Sequence, residues 1–401
     1  MQTMKADLDL LLGGHNARVC MPTWRRFNHN AARCTLYEAQ DVFASLDDVD
    51  VIPLEATGMW KWKQHFLRSL MPRDFTKKLI YANPGIKPVR LTQDYELLVV
   101  MCQQWYELLY LNAIEGWRDR CRTVVCWLDE IYAGSIHNYG SWLHVLRKFD
   151  HIFLPYELSA SVLGKTIGRP CHYLPRAIDV LRFSPYPKTP ARVIDVLSIG
   201  RRWEGIHEAL SDWSRSGEAF YIHDTVSDGG DQPIRDVALH RTMLANMVMR
   251  SLCFVVAPGK MQEVGETHGQ MEIGMRYYEG AAGGAVLIGQ ALDTEFFRNL
   301  FDWPQAVIPL RPDGSDVKEV VQGLRNSPDL AGAISRQNAV SIAARHDWMH
   351  RWEVILEMCG VKASPKLAGR RMQLKERTAT ICNPSNHPTA GHKSGLFSNR
   401  V

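Results

Sequence analysis

The sequence has no apolar run approaching the roughly 18 residues that a membrane-spanning helix needs, and its opening lacks the apolar core of a signal peptide. These absences argue against an integral membrane protein and predict a cytoplasmic location. Cysteine is scattered: Cys20, Cys34, Cys102, Cys121, Cys126, Cys171, Cys253, Cys359 and Cys382 include no CxxC pair. That pattern weighs against a zinc site or a disulfide framework and fits buried thiols in a reducing compartment. Charge of one sign is also scarce, with 47 Lys and Arg against 43 Asp and Glu, a net +4. So mild a balance gives no reason to expect a nucleic-acid or membrane partner, whose footprint would be a clustered basic stripe. No low-complexity run and no period of about 20 to 50 residues is present, which excludes a repeat architecture.

What is present is an alternation of short apolar runs with helical stretches. Across 401 residues of ordinary globular composition, 46% hydrophobic and 22% charged, this implies about two domains. After a Leu-rich opening that stops at Gly13-Gly14, "ARVCMP" (17–22) predicts a first strand. "AARCTLYEAQDVFASL" (31–46) has helical spacing, "VDVIPLE" (49–55) predicts a second strand, and Met59 to Lys78 predicts an aromatic-rich helix. Strands are further expected at "YELLVVMCQ" (95–103), "RTVVCWLDE" (122–130), "HIFLPY" (151–156) and "PCHYLP" (170–175). The proline-rich "RFSPYPKTPAR" (182–192) then reads as a linker.

Beyond it the alternation restarts with "VIDVLSIG" (193–200), "EAFYIHD" (218–224), "LCFVVAPG" (252–259), "GGAVLIG" (283–289) and "QAVIPL" (305–310). One long helix, roughly Ser335 to Met358, closes the ordered part; the last 40 or so residues read as poorly ordered or draped on the surface. Two strand–helix series imply two Rossmann-like parallel-sheet α/β domains, residues 1–185 and 186–345, with 346–401 packing back toward the first. Their strands' C-terminal ends would face a common cleft. Residues following those strands are therefore candidates: Trp24, Arg25, Arg26, Asn28, His29, Gln103, Gln104, Asp129, Glu130 and Glu157 from the first half. The second half offers Gly200, Arg201, Arg202, His223, Asp224, Pro258, Gly259 and Lys260.

The motifs in the second half carry a family likeness. "DHIFLPYELSASVLGKTIGRPCHYLPRAIDVLRFSP" (150–185), with Leu174, Pro175, Ile178, Asp179, Phe183 and Pro185, resembles the end of the acceptor domain in GT-B glycosyltransferases of the "group 1" superfamily. "VLSIGRR" (196–202), "GMRYYEGAAGGAVLI" (274–288) and "RHDWMHRWEVIL" (345–356) are similar to that superfamily's donor-domain opening, donor-binding helix and closing helix, in the correct order. The donor helix departs from the superfamily's pair of glutamates separated by seven residues. Met271 occupies the first position, with Glu272 one step late, and Arg276-x-x-Glu279 resembles a divergent branch. The lysine often found after Gly-Arg is also missing.

The resemblance implies a GT-B enzyme that moves a sugar, in the hexosyltransferase manner, from a nucleotide diphosphate sugar to an acceptor nucleophile. It implies retention of configuration, with no cofactor besides the donor substrate. On this reading Arg201, Arg276 and Glu272 are catalytic. Gly200, Arg202, His223, Gly274, Met275, Tyr277, Tyr278 and Glu279 would bind the donor, Glu279 through its ribose and the arginines through its diphosphate. Arg25, His29, Asp129 and Glu130 would meet the acceptor, whose identity stays open, as does the oligomeric state. The residue-level alternative for Arg276 and Glu279 is an i,i+3 ion pair on a solvated face. Asp7-Leu8-Asp9 and Asp48-Val49-Asp50 are DxD-like, but the second leads into a strand, and neither is expected to bind metal. A catalytically silent nucleotide-sugar binding module, or an epimerase or phosphotransferase on the same frame, remains the alternative function.

Overall fold

A computed structural model describes residues 17–70, 74–224 and 234–382. Strands β1 (Val19–Thr23), β2 (Val49–Pro53), β4 (Tyr95–Cys102), β6 (Cys121–Leu128), β7 (His151–Leu154) and β8 (Cys171–Tyr173) form one sheet in the order β2-β1-β4-β6-β7-β8. A second sheet has the order β10-β9-β11-β12-β13, from β9 (Ile194–Ser198), β10 (Tyr221–His223), β11 (Ser251–Val256), β12 (Val286–Gly289) and β13 (Ile308–Pro309). Every pairing in both sheets is parallel. A small parallel pair, β3 (Val89–Arg90) with β5 (Ile114–Glu115), stands apart from them.

The apolar runs in the sequence follow from burial on both faces. In β4, Leu97, Val99 and Met101 join the core facing the closing helices, while Leu98, Val100 and Cys102 join the core on the other side. Side chains alternate across a strand, so a sheet covered on both faces needs an uninterrupted apolar run. The strand order reverses between β1 and β4 and again between β9 and β11. Crevices at such switch points, outside the strands' C-terminal ends, are where doubly wound sheets take ligands.

Three expectations are corrected in detail. The single helix Ser335–Met358 is two, Pro328–Arg345 and Trp348–Met358. Buried Asp347 breaks it: its carboxylate accepts from the Met349 and Val180 N–H groups at 2.9 and 3.0 Å and pairs with Arg370 at 2.7 Å. The main chain there bridges back to Ile178, whose N–H donates to the His346 carbonyl at 2.9 Å. The expected helix Met59–Lys78 is the α-helix Trp60–Leu70 and a 3₁₀ segment Asp74–Tyr81.

The tail expected to be poorly ordered or draped on the surface contains a helix, Pro365–Cys382, whose Leu367, Leu374 and Ile381 are buried. It packs on the Pro328–Arg345 helix, and Arg370 also reaches Asp179 at 2.8 Å. One apolar residue every seven gives a seam too narrow to stand out in the sequence. Residues 383–401, and the Leu-rich opening with Asp7-Leu8-Asp9, lie outside the described residues.

Candidate active site

The second sheet's switch point is built around a glycine. Gly200, just past β9, has φ +84°, a left-handed conformation that a side chain would strain. Its N–H donates to Asp224 Oδ2 at 2.8 Å. A Cβ placed there would lie 3.5 Å from Nη2 and 3.6 Å from Nε of Arg276. The Arg276 guanidinium therefore spreads over Gly200, joining the loop after β9 to the N-terminus of helix Met275–Ala282.

That helix sits close to its sheet because Gly280 carries no side chain. A Cβ there would fall 2.4 Å from Leu287 and 2.5 Å from Phe254. Gly274 is the N-cap and offers no side-chain acceptor; the Tyr277 N–H turns back to its carbonyl at 3.3 Å, which leaves the N–H groups of Met275 and Arg276 without an intrahelical partner. Such an end favours an anion, through free donors and the macrodipole together.

A chain of buried charges holds Arg276. Its guanidinium donates to Glu279, and the other oxygen of Glu279 accepts from Arg241. Arg241 in turn donates to Glu38 at 2.8 Å. Burial alone would raise the Glu279 carboxyl, but Arg276 and Arg241 outweigh it and hold the group below the ordinary glutamate range. Arg276 remains partly exposed while Glu279 is fully buried. The pair is thus neither a solvated i,i+3 contact nor an open ribose site. Burial overturns the solvated-pair alternative, and each oxygen of Glu279 already accepts from a guanidinium, which sets this carboxylate against Arg276.

Other cations gather on the same side. Arg201 pairs with Glu263, and Arg202 pairs with Asp224 at 2.8 Å. Lys260, after β11, lies 3.0 Å from Glu130, 2.5 Å from Glu266 and 3.8 Å from Glu263. Burial would lower this ammonium, but Glu130 and Glu266 keep it charged. Glu130 also accepts from Gln103 and Gln104 at 3.1 and 2.8 Å, so the Lys260–Glu130 pair closes the cleft between the two sheets. His268 and Gln270 reach across beside it, to Ser135 at 3.1 Å and to the Ala133 N–H at 2.9 Å.

Several expected ligands are occupied in the frame. Tyr277 and Tyr278 are core residues: the Tyr277 hydroxyl donates to the Gln290 carbonyl at 2.6 Å, and Tyr278 packs edge-on to Phe301 and His346. In an eight-residue helix lying flat on a sheet, two successive aromatics cannot both reach the cleft. Met275 packs at the margin of the same core. Asp129 gives both carboxylate oxygens to buried Arg176, at 2.9 and 3.0 Å. Arg25 is tied to Asp41 at 2.6 Å and to the Tyr37 carbonyl. The His29 carbonyl accepts from the Ile234 N–H at 2.7 Å, linking the two halves, and its Nδ1 is buried without a hydrogen-bond partner among the described residues. His223 packs edge-on to His207 and tilted against Tyr221, and its Nδ1 lies 3.0 Å from the Asp224 carbonyl. Asp48 pairs with Lys366 and Asp50 accepts from Tyr95, both at the strand end opposite the cleft. Among the described residues no cluster of three or more His, Cys, Asp or Glu side chains forms a metal site.

Glu272 sits where the domains meet, beside a cavity of about 10 Å³ lined by Tyr173, Arg176, Tyr278 and Phe296. Burial raises its carboxyl to about 7, against the hydrogen bond from Gln270 and the charge of Arg176. A folded-state value above the unfolded one favours the folded protein at low pH and is lost as pH rises through about 7. Glu272→Gln should therefore remove about 3 kcal/mol of pH dependence between roughly pH 4.5 and 7. Urea unfolding of the variant and the parent across that range checks it, and parallel pH profiles would contradict it.

Residue patterns missed Arg176 and Arg241 because they pair with partners 47 and 203 positions away. Arg176 stands in the variable part of the Leu-Pro turn and Arg241 in an unremarked helical stretch. Lys260 was visible only as one of many strand-end polar residues.

Residues 239–357 match a family model described as glycosyl transferase-like. No curated protein matches the chain. Among solved structures, it is similar to an alpha-glucosyltransferase in complex with UDP and a 13-mer DNA containing a central A:G mismatch. The TM-score is 0.53 at 12% identity, covering 86% of this chain and 100% of that one. It is also similar to the trehalose-6-phosphate synthase OtsA, with TM-score 0.54 at 10% identity, covering 87% of this chain and 100% of that one. The fold is that of the GT-B glycosyltransferases. The stretch 239–357 that matches the glycosyl transferase-like model holds Arg241, Lys260, Glu272 and Arg276.

Proposed function

We propose that the protein transfers a sugar from a nucleotide diphosphate sugar to an acceptor nucleophile. The observation that carries this reading is the Arg276 guanidinium spread over Gly200 at the N-terminus of helix Met275–Ala282. Free N–H donors, a helix dipole and a guanidinium converge there, the chemistry that suits a diphosphate. As the glycosidic bond breaks, charge grows on the departing diphosphate, and a fixed cation stabilises that state more than the ground state. Arg276 fills this role, with Arg201 beside it exchanging its partner Glu263 for phosphate. Gly200 and Gly274 let the phosphates approach the backbone, while Arg202, through Asp224, fixes the loop. Glu272, able to carry a proton near neutral pH, would sit toward the transferred sugar, and Glu130 with His29 would border the acceptor.

Transfer would proceed with retention and without a metal, since cationic side chains supply the charge that a divalent ion would otherwise provide. Turnover should accordingly be unchanged in EDTA. Loss of activity restored by manganese or magnesium would contradict this part of the proposal.

The test of the whole is product formation. Thermal unfolding against a set of sugar nucleotides identifies the donor, because a ligand that binds only the folded chain raises Tm. Labelled donor is then followed into acceptor, and the anomeric configuration of the product is read by NMR. A donor that raises Tm but is never consumed, with any acceptor or water, would favour the silent binding module. The buried state of Glu279 is the observation on that side.

A further inference from the structure

The net charge of +4 conceals a local cluster on helix Trp60–Leu70. Within 59–70 stand Lys61, Lys63, His65 and Arg68, with no Asp or Glu. Leu67 is the one residue of the helix that is buried. Trp60 and Gln64 face inward: Trp60 packs edge-on to Phe27 at 4.8 Å, and Gln64 accepts from the Tyr110 hydroxyl at 2.7 Å. Outward, Met59 is 55% exposed, Trp62 62% and Phe66 48%. The rings of Trp62 and Phe66 stack on each other, 5.7 Å apart and 8° from parallel. At a helical advance of about 100° per residue, Met59, Trp62 and Phe66 form one apolar stripe. Lys63 borders it on one side, Lys61 and His65 on the other.

We infer that this helix is a docking surface for an anionic lipid membrane, on which the protein lies peripherally. An apolar stripe of Trp, Phe and Met bordered by lysines is what an interfacial helix uses: rings enter the headgroup boundary while ammonium groups stay with anionic headgroups. The charge complementarity selects the occupant, since a neutral apolar partner would leave the bordering lysines unpaired and a basic one would be repelled. A second copy of the chain would bring these cations against themselves. The surface also lies next to the loop holding Arg25 and His29, because Phe27 of that loop packs on Trp60.

The test uses the full chain and vesicles of phosphatidylcholine alone or with an equal part of phosphatidylglycerol. Co-sedimentation is expected with the anionic vesicles only and should be largely abolished at roughly 0.5 M salt, where screening reaches a few ångströms. Trp62→Ser with Phe66→Ser should weaken binding at least about tenfold, because the rings supply the buried apolar area. Lys61→Glu with Lys63→Glu should do the same through charge. All four side chains lie on the outward or bordering faces, and an unchanged Tm confirms that the variants fold. Absence of sedimentation with anionic vesicles overturns the inference, as does equal sedimentation of the parent and both variants. Binding of a DNA or RNA oligonucleotide through the same residues, or a Trp62-dependent dimer by light scattering, without vesicle binding, overturns it in favour of those partners.

Discussion

Arg276→Ala is expected to lower kcat by about 10²–10³-fold, the loss typical of removing a preorganised group aimed at developing charge. The side chain is held on one side by Glu279 and lies over Gly200 on the other, so its position is fixed before any substrate arrives. Little ordering is left to be done at the moment of reaction, and the loss should fall in kcat more than in donor KM. Glu279→Gln tests the positioning argument. It keeps the side-chain volume but removes the charge that holds Arg276, and it should reproduce part of the kcat loss while Arg276 remains. A Glu279→Gln variant with wild-type kcat and a raised donor KM would instead restore the ribose-binding role. Steady-state kinetics on the two variants, with labelled donor, distinguishes these outcomes.

Arg241→Leu should affect stability more than any other single change in this network. Arg241 is 2% exposed and stands between Glu38 and Glu279, both fully buried. Burial would lower its guanidinium, but the two carboxylates hold it above the ordinary arginine range. Removing it leaves two buried carboxylates, and the one cation near each among the described residues is then Arg182 at 3.7 Å from Glu38 and Arg276 beside Glu279. Breaking a buried pair on one side costs about 3–5 kcal/mol, because the desolvated partner stays behind. A drop of that size in urea-unfolding stability is expected. Adding Glu279→Gln to Arg241→Leu should recover part of it, since a neutral amide is less costly to bury than an unpaired carboxylate. A single variant within about 1 kcal/mol of the parent would show that the network is not desolvated as described.

Glu38 gives this network its reach. From helix Cys34–Leu46 of the first half it accepts from the Asp179 N–H at 3.0 Å and from Trp348 Nε1 at 3.3 Å. It therefore ties the first half, the chain crossing between the halves and the closing helix to the arginine that braces Glu279.

Much of the fold was legible along the chain. Strands buried on both faces must be continuous apolar runs, and β4, β6, β7, β9, β11 and β12 all declare themselves this way. Gly200 marked a left-handed position that a side chain would strain, and Gly274 one where a Cβ would come 3.3 Å from the Ala257 carbonyl. The helix break at Asp347 and the tail helix were not legible. The first depends on a carboxylate meeting Val180 and Arg370, and the second on a three-residue seam that means little until a neighbouring helix covers it.

By itself the sequence determined the two parallel sheets, the strand ends that meet at the cleft and the glycine-flanked helix that opens with Arg276, because these rest on periodicity and on local backbone needs. Only the tertiary structure decided which charged groups are paired within the frame. It set Glu279 and Asp129 against arginines, put Tyr277 and Tyr278 into the core, and raised the Glu272 carboxyl by burial. Ion pairs form between residues tens to hundreds of positions apart, and burial sets whether a charge is available to a ligand or bound within the frame; neither is written in the spacing of nearby residues.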